Sequence, residues 1–191
     1  MTVNDIQVEL SRDYDNCLDK VEIECRKIRR TIIKSKKFPI HFEPVEFIFP
    51  KQNRYLIFLE ANSKKNAENP IITVVALYNR HDGLYAAAIS KLYGSIIKVN
   101  IYPPHFFQRY KERILCENVT TKEAIKLFFR NNSNIVGELT TENEFRGSCK
   151  DGFVFGTTIN CTIDIFKTII SNNMLKGTQI DLSSKMSKWV A

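Results

Sequence analysis

The first part of the chain has the hydrophobic spacing of one long helix. Between residues 4 and 36, apolar side chains recur in alternating steps of four and three, and no Gly or Pro intervenes before Pro39. The residues of this seam are Tyr14, Leu18, Val21, Cys25, Ile28 and Ile32. The pattern predicts a helix about 50 Å long, at about 1.5 Å per residue, which packs on its own sheet or on a second copy of the chain.

After Pro39 the hydrophobic period changes to two, which is typical of strands that have one buried face. Four strand-like segments follow in pairs, at residues 45–49, 55–60, 71–78 and 84–90. The turn signals at 50–53 and 79–83 predict that each pair is a hairpin, and the polar stretch 62–70 predicts an exposed loop between the pairs. The simplest account of this region is an antiparallel meander.

A strand and a helix meet at residues 96–115. The segment 96–102 is apolar and β-branched, and the Pro103–Pro104 pair ends strand pairing because neither residue donates a ladder hydrogen bond. Pro104 suits the first position of a helix. The core-facing stripe of that helix is predicted to be Phe106, Phe107, Tyr110 and Ile114. An adjacent polar face carries His105, Arg109 and Arg113 at a spacing of four, with Glu112 beside them.

The remaining segments complete the predicted fold. Thr120 and Glu123 form a capping box that begins a second short helix, and residues 174–191 have little period and predict a loose tail. Strand-like segments lie at 135–139, 145–147, 153–159 and 161–170. We therefore expect an α+β protein with an amphipathic N-terminal helix (residues 1–37). An α+β domain (38–191) follows, with a mostly antiparallel sheet of six or seven strands and two short helices.

Composition narrows the class of protein. With 191 residues, of which 43% are hydrophobic, the chain can bury a core, and it has no apolar run long enough to cross a membrane. The N-terminus lacks the apolar region of a signal peptide, so a cytoplasmic location is expected. The five cysteines are scattered and odd in number, and only three histidines are present, which argues against a zinc site or a disulfide framework. No metal or cofactor is expected.

The charge is basic and unevenly distributed. The net charge is +7, and the long helix is acidic in its first part and basic in its second, which suits the helix dipole. An alternative is that the basic part contacts the phosphates of a nucleic acid. The candidate nucleic-acid-binding residues are Arg26, Arg29, Arg30, Lys34 and Arg146.

Two interpretations of the polar face at His105, Arg109 and Arg113 remain open. The first is a solvated helix face whose arginines pair with nearby carboxylates. The second is an anion-binding row, because histidine titrates near neutral pH and the arginine fork matches phosphate oxygens. The two differ in whether the arginines have acidic partners.

The segment 96–175 resembles small RelE-like, barnase-type ribonuclease domains. The resemblance consists of the helical H-x-x-x-R-x-x-x-R line at His105, Arg109 and Arg113, and of three features after it. Those features are Thr120 or Thr121 at the next helix start, Gly156 in a strand, and Thr168 in the last strand. The N-terminal half has no counterpart in that group.

The resemblance implies metal-independent RNA cleavage, in which a 2′-hydroxyl attacks the adjacent phosphate. His105 would be an acid or a base, and Arg109 and Arg113 would hold the phosphate. Thr168 and Arg146 would face the same site from the sheet, as orienting groups. An endoribonuclease of toxin-like or mobile-element type is therefore the first hypothesis. The alternatives are a nucleic-acid binder without catalysis and a protein-interaction module that dimerises through its N-terminal helix, so enzymatic activity stays open.

Overall fold

A computed structural model of the chain describes residues 3–49, 53–91, 97–140 and 142–175. These residues form two compact units. Unit 1 draws its residues from Met1–Leu77 and Ala88–Val99, and unit 2 from Tyr78–Ala87 and Asn100–Ala191. The turn predicted at 50–53 and the tail predicted at 174–191 lie almost entirely outside the described residues.

Three helices are present in the described part of the chain. They are α1 (Val3–Lys34), α2 (Pro104–Tyr110) and α3 (Thr121–Asn131). A π-helical turn continues α2 over Lys111–Leu115, and short 3-10 turns lie at Lys64–Ala67 and Asn172–Met174. Within the described residues, no helix is long and apolar enough to cross a membrane.

The described residues contain ten strands. They are β1 (Ile40–His41), β2 (Val45–Ile48), β3 (Arg54–Ala61), β4 (Ile71–Arg80), β5 (Gly83–Lys91), β6 (Ile97–Tyr102), β7 (Val136–Leu139), β8 (Glu144–Cys149), β9 (Gly152–Asn160) and β10 (Ile163–Ile170). The α+β class with a long N-terminal helix and a mostly antiparallel sheet is thus confirmed. The strands outnumber the six or seven predicted for the sheet. Each of β2 to β10 corresponds to a predicted strand-like segment, whereas β1 has no counterpart, because a two-residue strand contains too few alternations to show a period.

In unit 1, β3 is the central strand. Residues 45–48 of β2 and 40–41 of β1 pair antiparallel with successive parts of one edge of β3, and β4 pairs antiparallel with its other edge. Five consecutive residues of β3, Tyr55 to Leu59, are buried, so both of its faces are covered. A strand of this kind reads as a continuous apolar run rather than as an alternating pattern.

Helix α1 packs on β3 within unit 1, and polar contacts help to set its rotation. The Tyr55 hydroxyl donates a hydrogen bond of 2.8 Å to Asp13 Oδ2, and Asn53 Nδ2 donates to the same oxygen at 2.8 Å and to Glu9 Oε1 at 3.0 Å. Burial, and then the bond to Asp13, raise the pKa of Tyr55 far above its usual value, so the phenol stays a donor. These bonds place Glu9 and Asp13 of α1 next to the start of β3.

The prediction of which α1 residues face the core is partly wrong, because the buried face of the helix is rotated relative to the predicted seam. The buried residues of the helix are Ile6, Leu10, Cys17, Val21 and Ile32, and Ile28 packs beside Ile32. Leu18, which the heptad pattern assigns to the seam, is 40% exposed, whereas Cys17 is 0% exposed. Of the residues considered for self-association, Val21 and Ile32 are buried within unit 1, whereas Leu18 stays exposed.

In unit 2, β7, β8, β9 and β10 form an antiparallel meander in chain order. Helix α2 packs against β10 and against α3. The centre of this packing is Tyr102, whose ring contacts five other rings at centroid distances of 4.8–6.1 Å. These rings belong to Phe106, Phe107, Phe128, Phe129 and Phe166.

The phase of α1 can be tested with two neighbouring serine substitutions. Cys17→Ser places a hydroxyl in a fully buried site and should lower the free energy of unfolding by about 1–3 kcal/mol, because a buried hydroxyl needs a partner. Leu18→Ser should lower it by no more than about 0.5 kcal/mol, as expected for a surface position. Urea denaturation of both variants measures the difference. A larger loss of unfolding free energy in Leu18→Ser than in Cys17→Ser would support the heptad seam predicted from the sequence.

Candidate functional site

The start of α2 and three of its four predicted core-facing residues agree with the prediction, whereas Ile114 is only half-buried. Pro103 is the N-cap and Pro104 occupies the first helical turn, where the missing N–H removes no helix bond. Phe106, Phe107 and Tyr110 are fully buried. Because these three rings face the core, the polar residues between them lie on the remaining faces of the helix.

A widened turn follows α2. Residues Lys111–Leu115 are π-helical, and the Cys116 N–H closes this turn by donating to the Lys111 carbonyl at 2.8 Å. Cys116 has a left-handed conformation with φ 52°, which ends the helix. A π turn changes the angular spacing of the side chains after it, and such turns are frequent at functional sites. Arg113 lies within this turn.

Arg109 and Arg113 converge on a single hydroxyl of β10. Arg109 Nη1 donates to Thr168 Oγ1 at 3.3 Å, and Arg113 Nη1 donates to the same oxygen at 3.2 Å. Arg113 Nη1 also donates to the Ile169 carbonyl at 3.0 Å. Arg109 is exposed, whereas Arg113 and Thr168 are half-buried. Three of the four predicted catalytic residues are therefore brought together.

A β-bulge lies immediately before Thr168. Phe166 pairs with Gly156 of β9, but Thr168 pairs with the next residue, Phe155, so Lys167 is the extra residue. Gly156 permits this local geometry, because a Cβ added there would lie 2.2 Å from the Ile165 carbonyl oxygen. Bulges redirect side chains next to functional sites. The predicted Gly-containing strand is thus the strand that pairs with the bulged segment.

The electrostatics of the Arg109–Arg113 pair are unusual. Thr168 and Ile169 provide neutral acceptors, and no carboxylate among the described residues pairs with either guanidinium. Both Nη1 atoms bond to one oxygen, so the two positive charges lie within two hydrogen-bond lengths of each other. Two like charges about 6 Å apart repel by about 3 kcal/mol at an effective dielectric constant of about 20, and by less where solvent screens them. A bound anion would remove this repulsion.

His105 faces a different part of the surface. It is exposed and lines an open depression of about 890 Å³ in unit 2. The described residues that line this depression are Asp82, Pro104, His105, Gln108, Lys111, Glu112, Cys116, Glu117, Asn118 and Thr121, and neither Arg109 nor Arg113 is among them. The predicted line of one histidine and two arginines is therefore divided between two adjacent surfaces of one helix.

A network of hydrogen bonds anchors the end of α2. The sequence did not predict this network. The buried Tyr110 hydroxyl donates to Asp151 Oδ2 at 2.5 Å, and Asn132 Nδ2 donates to the same oxygen at 2.8 Å. The Asp151 N–H donates in return to Asn132 Oδ1 at 3.0 Å. Burial, and then the bond to Asp151, raise the pKa of Tyr110 well above its usual value. The turn signal at Asp151 was visible in the sequence, but its two partners were not.

Three of the basic residues predicted to bind nucleic acid pair with carboxylates. Arg26 bonds to Glu22, and Arg29 bonds to Glu68 through Nε at 2.8 Å and through Nη2. In unit 2, Arg146 Nη2 lies 2.9 Å from Glu144 Oε2. Arg30 and Lys34 are exposed at the end of α1. Exposed ion pairs are weak, so the paired arginines retain part of their attraction for an anion.

The cysteines are free, and burial determines their chemistry. Desolvation raises the pKa of Cys17 and of Cys149 to about 12, so both thiols stay protonated at neutral pH. Cys116 and Cys161 are exposed. Among the residues that the structure describes, no group of three or more His, Cys, Asp or Glu side chains has a geometry that could hold a metal ion.

Comparisons with known proteins add no relative. No protein-family model matches the chain, and neither the curated proteins nor the solved structures contain a significant match. The resemblance to RelE-like ribonucleases rests on the residues themselves.

An anion site at Arg109 and Arg113 would give a specific response to phosphate. Inorganic phosphate should raise the melting temperature of the wild type above its value in chloride at equal ionic strength. The stabilisation should reach about 1.4 kcal/mol when phosphate exceeds its Kd about tenfold. The double variant Arg109→Ala, Arg113→Ala should lose this response.

Thermal unfolding of these proteins, with Arg26→Ala as the matched control, measures the effect. Arg26 already pairs with Glu22 on an exposed helix face, so its loss should leave the phosphate response unchanged. An equal response in the wild type and the double variant would contradict an anion site at this pair.

Proposed function

We propose that this chain acts on RNA as a metal-independent endoribonuclease in the cytoplasm. In this proposal Arg109, Arg113 and Thr168 hold the phosphate, and His105 transfers a proton. The observation that carries the proposal is the convergence of two guanidinium groups on Thr168 with neutral acceptors and no carboxylate partner among the described residues. Guanidinium pairs bind phosphate oxygens through parallel hydrogen bonds.

The proposed reaction needs two proton transfers and positive groups that stabilise the negative charge of the transition state. The 2′-hydroxyl of a ribose loses its proton to a base and attacks the adjacent phosphorus, and the bond to the 5′-oxygen breaks as an acid protonates that oxygen. The products are a 2′,3′-cyclic phosphate and a free 5′-hydroxyl. Negative charge grows on the equatorial phosphate oxygens, where Arg109 and Arg113 would stabilise it.

His105 is assigned one of the two proton transfers. It precedes Arg109 by one helical turn, a rise of about 6 Å, so a nucleotide held by the arginines lies within reach of the same end of α2. Histidine is suited to this role because its ordinary pKa lies near neutral pH. Its position in the lining of the depression leaves it accessible to substrate.

A second candidate function is RNA binding without cleavage. The observation that favours it is the separation between His105, which lines the depression, and the two arginines, which face β10. Binding needs only the phosphate contacts, whereas cleavage also needs the imidazole beside the same phosphate. A protein-interaction module is the third possibility, and it predicts that RNA is not bound at all.

Replacing His105 separates cleavage from binding. His105→Ala alters an exposed position, so the free energy of unfolding should change by less than about 0.5 kcal/mol. RNA cleavage should fall by about 100-fold or more if His105 is the acid or base. A fluorescent oligoribonucleotide measures the cleavage rate, and fluorescence anisotropy measures binding.

The matched control is His41→Gln, which removes an imidazole from unit 1 and should leave cleavage unchanged. Cleavage by the wild type should persist in a chelator, and Arg109→Lys should reduce it, since an ammonium group cannot replace a bidentate fork. Intact RNA that still binds would support the binder. Absence of RNA binding at about 50 mM salt would leave the protein-interaction function, because phosphate contacts are strongest at low salt.

The basic end of α1 gives a separate prediction. If Arg30 and Lys34 contact RNA phosphates, replacing both with Ala should reduce the slope of log affinity against log salt by about 1.4, at about 0.7 per phosphate contact with a single strand. Arg26→Ala is the matched control and should change the slope less, because Glu22 already neutralises part of its charge. An unchanged slope in the Arg30, Lys34 variant would exclude this surface from RNA binding.

A further inference from the structure

The tip of the β4–β5 hairpin in unit 2 carries a stacked group of three side chains, Tyr78, Arg80 and Tyr85. The rings of Tyr78 and Tyr85 stack at a centroid distance of 5.2 Å with an interplanar angle of 24°. The guanidinium carbon of Arg80 lies over the Tyr85 ring, 5.2 Å from its centre. Tyr78 and Arg80 thus both lie against the Tyr85 ring, and Arg80 is half-buried, so part of its side chain is open to solvent.

The hairpin tip lies against the start of α2. A Cβ added to Gly83 would lie 3.0 Å from Pro104 Cγ, and the φ of Gly83 is +133°, a conformation that other residues rarely adopt. Asp82, at the same tip, lines the depression together with His105. The stacked group is therefore next to the proposed proton-transfer residue, and both belong to unit 2.

The depression carries more negative than positive charge. Three of its lining side chains are carboxylates, from Asp82, Glu112 and Glu117, whereas only Lys111 carries a permanent positive charge. A phosphate is thus less favoured in the depression than at the Arg109–Arg113 pair on the adjacent surface of α2. The Arg109–Arg113 pair therefore suits the phosphate of a nucleotide, and the depression suits its base.

We propose that the depression binds the nucleobase next to the held phosphate, and that the hairpin tip selects bases with an exocyclic amine. The base lies at the edge of the depression, where it stacks on the Arg80 guanidinium that Tyr85 supports, and its amine donates a hydrogen bond to Asp82. This inference rests on the proposed action on RNA and names its base preference. Bases of single-stranded RNA are commonly bound by stacking on aromatic rings or guanidinium planes and by hydrogen bonds to their edges.

The orientation of Asp82 supports this selection. The Tyr85 hydroxyl donates to Asp82 Oδ2 at 2.7 Å, which holds the exposed carboxylate in place at the hairpin tip. The same hydrogen bond is the main cause that lowers the pKa of Asp82 below its usual value, so the carboxylate is ionised and only accepts at neutral pH. Adenine, cytosine and guanine present amine donors, but uracil presents a carbonyl oxygen in the corresponding place. In uracil, this carbonyl acceptor would face the Asp82 carboxylate, which is also an acceptor, and no hydrogen bond would form between them.

The preference is measurable with oligoribonucleotides of equal length that contain only adenosine, only cytidine or only uridine. The wild type should cleave the adenosine and cytidine oligomers with a kcat/KM at least about tenfold above that for uridine, the usual effect of one hydrogen bond to a charged group. Asp82→Asn should reduce this ratio to about threefold or less, because an amide both donates and accepts. The ratio is the readout, since general damage to the fold lowers all three rates together.

Two further variants keep the result interpretable if Asp82→Asn fails to fold. Tyr85→Phe retains the stacking ring but releases Asp82, so it should reduce the base ratio with little change in KM. Tyr85→Ala removes the ring and should raise KM for all three oligomers. Glu138→Gln removes one exposed carboxylate from β7 and should leave the ratio as in the wild type.

The outcomes distinguish this inference from the proposed function. Cleavage of all three oligomers at similar rates, or an unchanged ratio in both Asp82→Asn and Tyr85→Phe, would overturn the base preference and leave the ribonuclease. If the wild type binds RNA without cleaving it, the ratio of Kd values replaces the ratio of kcat/KM, and the same variants decide. Absence of both cleavage and binding would overturn the base preference together with the action on RNA.

Discussion

The packing of aromatic rings around Tyr102 is the constraint on which unit 2 depends. Five phenylalanine rings surround this fully buried tyrosine, and they come from α2, α3 and β10. Burying two neighbouring rings of α2 leaves the helix one rotation about its axis, because any other rotation would expose them to water. That rotation turns Arg109 and Arg113 toward β10. The position of both guanidinium groups is thus a consequence of apolar packing.

The sequence predicts those parts of the fold that local signals determine. The extent of α1, the start of α2 at Pro104 and the capping box at Thr120 each depend on residues close together in the chain. The rotation of α1 is different, because hydrogen bonds from Asn53 and Tyr55 to Asp13 help to set it. Those partners lie about 40 residues away in the chain, and helical periodicity carries no information about them.

The candidate site shows the same division. The spacing of Arg109 and Arg113 predicted a shared helix face, and the resemblance added Thr168. Their meeting at one oxygen also needs two local irregularities, a π-helical turn after α2 and a bulge in β10. Neither irregularity has a sequence signal in a single chain, since both arise where tertiary packing overrides regular hydrogen bonding. The same regular spacing placed His105 with the arginines, whereas the structure places it in the lining of the depression.

The net charge of +7 alone says little about what the protein binds, and the pairing of individual arginines says more. Arg26, Arg29 and Arg146 each have a carboxylate partner, as residues on a solvated surface commonly do. Arg109 and Arg113 instead bond to neutral oxygens, and within the described part of the chain each does so through Nη1 alone. A guanidinium group has five N–H donors, so Nε and Nη2 of both residues keep donors for a ligand. Thr168 thus holds two cations in place while leaving them able to bind an anion, and such preorganisation strengthens binding because less freedom is lost when the ligand arrives.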